Sequence, residues 1–152
     1  MAAVISLREV VDAIKVQMEE SASYLDPDTG EIVVVTDEER RMVEEGREDR
    51  APEWQREGLP KVREVLESTR FPPLPSKFEV HEWEIMRQFS DAQENARVRD
   101  ELLDAIHGSG AFRIFKSTIR RLNLENAWYE FRSRALEEIA RDWLEAHRLP
   151  YR

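Results

Sequence analysis

Helix starts are written into this chain at short intervals. Ser6 stands three residues before Glu9 and Thr36 three before Glu39, each a hydroxyl followed by a carboxylate that can cap the same helix end reciprocally. Asn95 opens a further stretch in the same way, through its side-chain oxygen. Behind Ser6, the residues Leu7, Val10, Val11, Ile14 and Met18 recur at the three and four spacing of one helical face, which predicts a helix over 6–22. Thr36 opens a short acidic helix ending near Gly46, and Pro52 begins another that carries Trp54, Val62, Val65 and Leu66 and is broken by Gly58 and Pro60. Helical patterns follow over 79–92 with Ile85, Met86 and Phe89, from Asn95 to Gly108 with Leu102, Leu103 and Ile106, from Gly110 to about Leu122, and over 124–146. Such punctuation specifies a mostly α chain of short elements.

One stretch breaks the helical period. Ser23, Tyr24 and Leu25, the turn Asp26-Pro27-Asp28-Thr29-Gly30, and Glu31-Ile32-Val33-Val34-Val35 read as a β-hairpin over about 23–35. A lone hairpin is marginal in water, so it rests on helices, and its free edge is either covered or open to pairing. The run Phe71-Pro72-Pro73-Leu74-Pro75 is stiff and extended because proline fixes φ, and reads as a rigid connector in preference to an SH3-type ligand. The expected architecture is therefore a compact helical bundle with one N-terminal β-hairpin. It forms a single domain over 1–152, with a loop-rich region at about 47–77 and a helical part at 79–147.

Charge narrows the function classes. The 152 residues carry 23 Lys and Arg against 32 Asp and Glu, a net of −9, which argues against a protein that coats nucleic acid or anionic membrane with its whole surface. There is no cysteine, so disulfides, thiolate metal sites and cysteine nucleophiles are excluded together. The longest aliphatic run, Ile32 to Val35, is far short of the roughly 18 residues a spanning helix needs. The first residues, 1–9, lack a basic start with a long apolar stretch, so a cytoplasmic protein without membrane contact is expected. Residues 1–104 hold a net charge of −12 and residues 105–152 a net of +3.

Several motifs fail on inspection. His81-Glu82-Trp83-Glu84-Ile85 begins like a zinc protease helix, but Ile85 stands where the second histidine must be. Lys116-Ser117 ends like a phosphate-binding loop, yet Phe115 occupies the glycine position. Asp26-Pro27-Asp28-Thr29-Gly30 begins like a calcium loop, but Gly30 occupies the third side-chain ligand position and Glu31 the sharp-turn glycine position, leaving turn chemistry. His81, His107 and His147 are scattered without partners, and no catalytic residue, metal site or cofactor is assigned.

Two constellations remain. In the helix opened by Gly108-Ser109-Gly110, the spacing places Phe112, Phe115, Ile119 and Leu122 on a packing stripe and Arg113, Lys116 and Arg120 on the opposite face. A cation in the first turn opposes the helix dipole unless an anion sits there, and free amides at a glycine-flanked start supply such a site. The anion is either an external phosphate or carboxylate, held by Gly108, Ser109, Gly110, Arg113, Lys116 and Arg120, or an acid of the chain itself. In the last helix the apolar face reads as Trp128, Phe131, Ala135, Ile139 and Trp143, and Arg132 falls inside that arc. Glu82 likewise projects among Ile85, Met86 and Phe89, so a structural ion pair between Glu82 and Arg132 is expected, with Arg113 as the other possible partner.

The combination of Tyr24-Leu25-Asp26 with Gly30-Glu31-Ile32, Phe78-Glu79-Val80 with Ile85-Met86, Gly110-Ala111-Phe112-Arg113 with Phe115-Lys116, and Trp128-Tyr129 with Phe131-Arg132 resembles the bacterial uncharacterised protein family 0158. The resemblance covers nearly the whole chain and departs over 47–69. It implies a single soluble bacterial domain and brings no catalytic residue. Three readings follow. The first is a protein-binding or adaptor module that presents the hairpin edge at Ile32 and Val34, to another protein or to a second copy of itself. The second is a binder of a phosphorylated ligand or nucleic acid through the basic helix 110–122. The third, an enzyme using Glu82 or a histidine as base, requires a pocket where those groups converge.

Overall fold

The computed structural model describes residues 3–17, 20–76 and 80–152. Among these the chain is mostly α, with eight α-helices and one two-stranded antiparallel hairpin near the N-terminus. It divides into two compact units, Met1–Glu79 with Ile139–Arg152 and Val80–Glu138.

In the first unit, α1 (Leu7–Lys15) is capped by Ser6, which accepts from the Glu9 N–H. It buries Leu7, Val10, Val11 and Ile14. The helix stops well before Ala22, and Met18 lies outside the described residues. Ser21 and Ala22 belong instead to β1 (Ser21–Leu25), which pairs with β2 (Ile32–Thr36) in the register Ser21↔Thr36 to Leu25↔Ile32. The hairpin is longer than its sequence pattern suggested because Asp37 N–H donates to the Glu20 carbonyl and extends the ladder past Ser23.

Thr36 then closes a complete capping box with Glu39 at the start of α2 (Asp37–Glu44). After a 3₁₀ turn at Glu48–Arg50, Gly58 and Pro60 break the next stretch as expected, into α3 (Glu53–Arg56) and α4 (Leu59–Glu67). Val33, Val35, Val43, Ala51, Leu59, Val62, Val65 and Phe71 form one buried cluster, with Tyr24, Met42 and Leu66 packed against it. Each such aliphatic side chain contributes on the order of 1.5–3 kcal/mol by leaving water.

The proline-rich run does more than connect. Leu25 N–H donates to the Pro72 carbonyl at 3.0 Å and Leu74 N–H donates to the Ser23 carbonyl at 2.8 Å, so this segment lies along the outer edge of β1. Pro73, opposite Tyr24, has no N–H to offer the outside, and its carbonyl accepts from the Trp143 indole at 2.9 Å. Prolines at an edge stop a sheet from growing.

The second unit holds α5 (Glu82–Asp91), α6 (Ala96–Ala105), α7 (Ala111–Arg121) and most of α8 (Glu125–Ala146). Asn95 caps α6 by accepting from the N–H groups of Arg97 and Val98. Phe89 is the hub of an aromatic core, meeting Phe115, Trp128 and Phe131 edge to face at 6.2, 5.4 and 5.4 Å between centroids. Phe115 and Trp128 close the set at 4.9 Å. Offset and perpendicular ring pairs of this kind add about 0.5–1.5 kcal/mol each beyond area burial.

Candidate functional site

Strand alternation decides what the hairpin presents. Val33 and Val35 point into the buried cluster, while Ile32, Val34 and Thr36 share the other face with Ser23 and Leu25. On that second face burial falls across the sheet: Ser23 and Leu25 of β1 are buried, Ile32 is partly so, and Val34 is 53% exposed. The backbone alternates too. Asp26 N–H donates to Glu31 O and Asp37 N–H to Glu20 O, which sets Tyr24–Val33 and Ala22–Val35 as the hydrogen-bonded pairs. The N–H and C=O groups of Ile32 and Val34 therefore face away from β1. Among the described residues they have no backbone partner. Thr36 N–H at the same edge is taken by the Glu39 carboxylate at 3.0 Å. Thus β1 has a covered edge and β2 an open one, flanked by Glu31 at one end and by Asp37 and Glu38 at the other.

The turn that holds this edge is built on Asp26. Its carboxylate, only 4% exposed, accepts from the Asp28 N–H at 2.9 Å and pairs with Lys61 at 3.2 Å, and its carbonyl accepts from Gly30 N–H. Burial works against the charged form, but the Asp28 N–H and Lys61 outweigh it and hold Asp26 below its ordinary range. Gly30 closes the turn at φ 79°, a region costly for a residue with Cβ.

The basic helix start differs from expectation in one respect. Phe115 and Ile119 are buried and Leu122 partly so, but Phe112 is 51% exposed. The covered arc of α7 centres on Phe115, Thr118 and Ile119, and Phe112 stands at its margin in the first turn. Thr118 can be buried there because its hydroxyl donates to the Ile114 carbonyl. Gly108, Ser109, Gly110, Arg113, Lys116 and Arg120 are all exposed. Arg120 lies 3.9 Å from Glu125, and Arg121 pairs with Glu101. Among the described residues no acid pairs with Arg113 or Lys116. The Arg113 guanidinium instead lies over Gly110, where an added Cβ would come within 3.4 Å of it.

Glu82 and Arg132 meet. Arg132 Nε donates to the two Glu82 carboxylate oxygens at 3.0 and 3.2 Å, and Nη2 donates to Oε1 at 2.5 Å. The two side chains are 25% and 24% exposed, so the pair is half-buried, and Glu82 also sits in the first turn of α5, where the helix dipole favours a carboxylate. The deepest side chains of α8 are Trp128, Leu136, Ala140 and Leu144, a row at every fourth residue that includes Arg132. The expected face through Phe131, Ala135, Ile139 and Trp143 is only partly buried, because a row of fourth residues drifts about 40° per step and winds the covered stripe around a long helix.

His107 and His147 each direct Nδ1 to the carbonyl four residues back, and His81 lies in the left-handed region before α5. The covered β1 edge was not legible in the sequence, although proline at a strand edge is a recognised signal. No described helix is long and apolar enough to cross a membrane. Comparison with family models, with curated proteins and with solved structures found no match.

Proposed function

We propose that this chain is a cytoplasmic, non-enzymatic protein-binding module that accepts an extended strand of a partner along the outer edge of β2. The resemblance to the bacterial family 0158 is part of this proposal. The observation that carries it is the contrast between the two sheet edges: prolines close the β1 side, while Ile32 and Val34 offer unpaired N–H and C=O groups beside an exposed valine. No lysine, proline or bulge guards the sequence Ile32-Val33-Val34-Val35-Thr36.

Charge selects the partner. Acids stand at both ends of the strand, so either strand direction favours a partner with a short apolar stretch flanked by Lys or Arg. A second copy is a poor fit, since antiparallel pairing of β2 with itself about Val34 sets Glu31 opposite Asp37 twice. The test is a titration of the full chain with the peptide Lys-Val-Thr-Val-Thr-Val-Lys, followed through backbone amide signals, beside the same peptide with Glu at both ends. The Lys-flanked peptide should move Ile32 and Val34 and bind about tenfold tighter than its acidic counterpart. Val34→Lys should abolish the effect and Val34→Thr should retain it. Unmoved Ile32 and Val34 signals, or equal binding by Val34→Lys, would contradict the reading.

A second reading is favoured by Arg113 and Lys116, which have no acidic partner among the described residues and neighbour the exposed Phe112 in the sequence of α7. Basic groups beside an aromatic face suit a phosphorylated ligand or single-stranded nucleic acid. Such binding would weaken steeply with salt and in Arg113→Ala and Lys116→Ala, whereas the edge reading is insensitive to both substitutions.

A further inference from the structure

The end of α2 turns back on itself and leaves a cleft on its outer side. Gly46 enters the left-handed region at φ 68° and turns the chain back, with Gly46 N–H donating to Val43 O and Arg47 N–H to Met42 O. The returning loop is fixed from the inside. Arg56 donates to the carbonyls of Ala51 and Asp49, both at 2.7 Å, Ala51 is buried, and the Glu48 carboxylate is drawn to Arg63 of α4. What the loop leaves outward is a cleft of about 270 Å³ lined by Glu38, Arg41, Met42, Arg47 and Arg50.

Three arginines share that lining with one glutamate. Arg47 pairs with Glu45, while Arg41 and Arg50 have no acidic partner among the described residues, in a chain whose net charge is −9. The carbonyls of Arg41, Met42 and Val43 near the end of α2 are already taken by the N–H groups of Glu45, Arg47 and Gly46. Like charges gathered around one cleft are stabilised by an anion with several oxygens, and guanidinium forks match phosphate in both shape and charge.

We propose that this cleft binds the dianionic phosphate of a phosphate monoester, with Arg41, Arg47 and Arg50 as its donors and the Met42 side chain as an apolar wall. The site shares Glu38 with the acidic flank of β2, but its three arginines are not part of that edge. The same phosphate can arrive on a small molecule or on a phosphorylated protein segment, and the experiment separates the two. The full chain is titrated at low salt and roughly pH 7.5, where a monoester is a dianion, with O-phosphoserine and with a pentapeptide carrying a central phosphoserine, against serine and the unphosphorylated peptide. Arginine Nε–H signals report the site. Saturable shifts confined to Arg41, Arg47 and Arg50 are expected, with affinity about tenfold lower in Arg41→Gln and in Arg50→Gln and unchanged in Arg8→Gln. Binding should weaken near pH 5, where the ester becomes a monoanion. Tighter binding of the peptide assigns a phosphoprotein source, and equal binding a small-molecule source. Shifts that grow without saturation, or an Arg50→Gln chain that binds as the parent does, would overturn the proposal.

Discussion

Asp26 keeps a nearly buried carboxylate charged by giving it the Asp28 N–H and Lys61. Its pKa in the folded chain lies below the ordinary 3.8, so near that value the folded chain binds fewer protons than the unfolded one. The stabilisation is fully present above the ordinary value and is lost as pH falls through the lowered one. Asp26→Asn, which keeps the acceptor for Asp28 N–H but loses the charge, should cost about 1–2 kcal/mol near neutral pH. In denaturant unfolding against pH, that difference should vanish on the acid side. Glu82 and Arg132 allow a second test. Water still reaches a quarter of each side chain, so breaking this pair costs less than the roughly 3–5 kcal/mol of a fully buried one. Glu82→Gln should lose about 1–3 kcal/mol, and a double-mutant cycle with Arg132→Gln should give a coupling of about 1 kcal/mol. A coupling of zero would make the contact incidental. This pair was legible because a charge inside an apolar arc needs an opposite charge in another. Phe112 misled for a related reason: a helical wheel fixes the angle of a side chain but not whether another element covers that end of the helix.

At the scale of elements, local chemistry was the readable part. The complete box at Thr36 and Glu39, the side-chain cap at Asn95 and the break at Gly58 and Pro60 all depend on residues within a few positions of one another. Ser6 caps α1 with only half of the expected reciprocity, since its hydroxyl accepts from the Glu9 N–H but the pair does not close a capping box. Thr36→Ala should cost about 1 kcal/mol in thermal or denaturant unfolding, because it removes the hydroxyl that accepts from the Glu39 N–H in the first turn of α2. Phe115→Ala removes a ring held by both Phe89 and Trp128 and should cost about 3–5 kcal/mol, with loss of near-ultraviolet circular dichroism from the aromatic core. The pairing of residues 71–74 with β1 was unreadable because it joins segments far apart in sequence, and nothing in Phe71-Pro72-Pro73-Leu74 specifies its partner. The arginine cleft is local but was also unreadable, because residue spacing does not say that the left-handed turn at Gly46 sets Arg41, Arg47 and Arg50 around one cleft.

For the whole molecule, the charge distribution and the open edge act together. A net charge of −9, with acids at both ends of β2, keeps like copies apart, so sedimentation at low salt should show a single chain of 17.9 kDa. A β2 that accepts a partner strand must have one paired and one open side. Amide hydrogen exchange of the free chain, read residue by residue along 32–35, tests this directly. Val33 and Val35 donate toward β1 and should be strongly protected, whereas Ile32 and Val34 should exchange orders of magnitude faster. Equal protection at all four amides would mean that the edge is already covered, and would contradict the account.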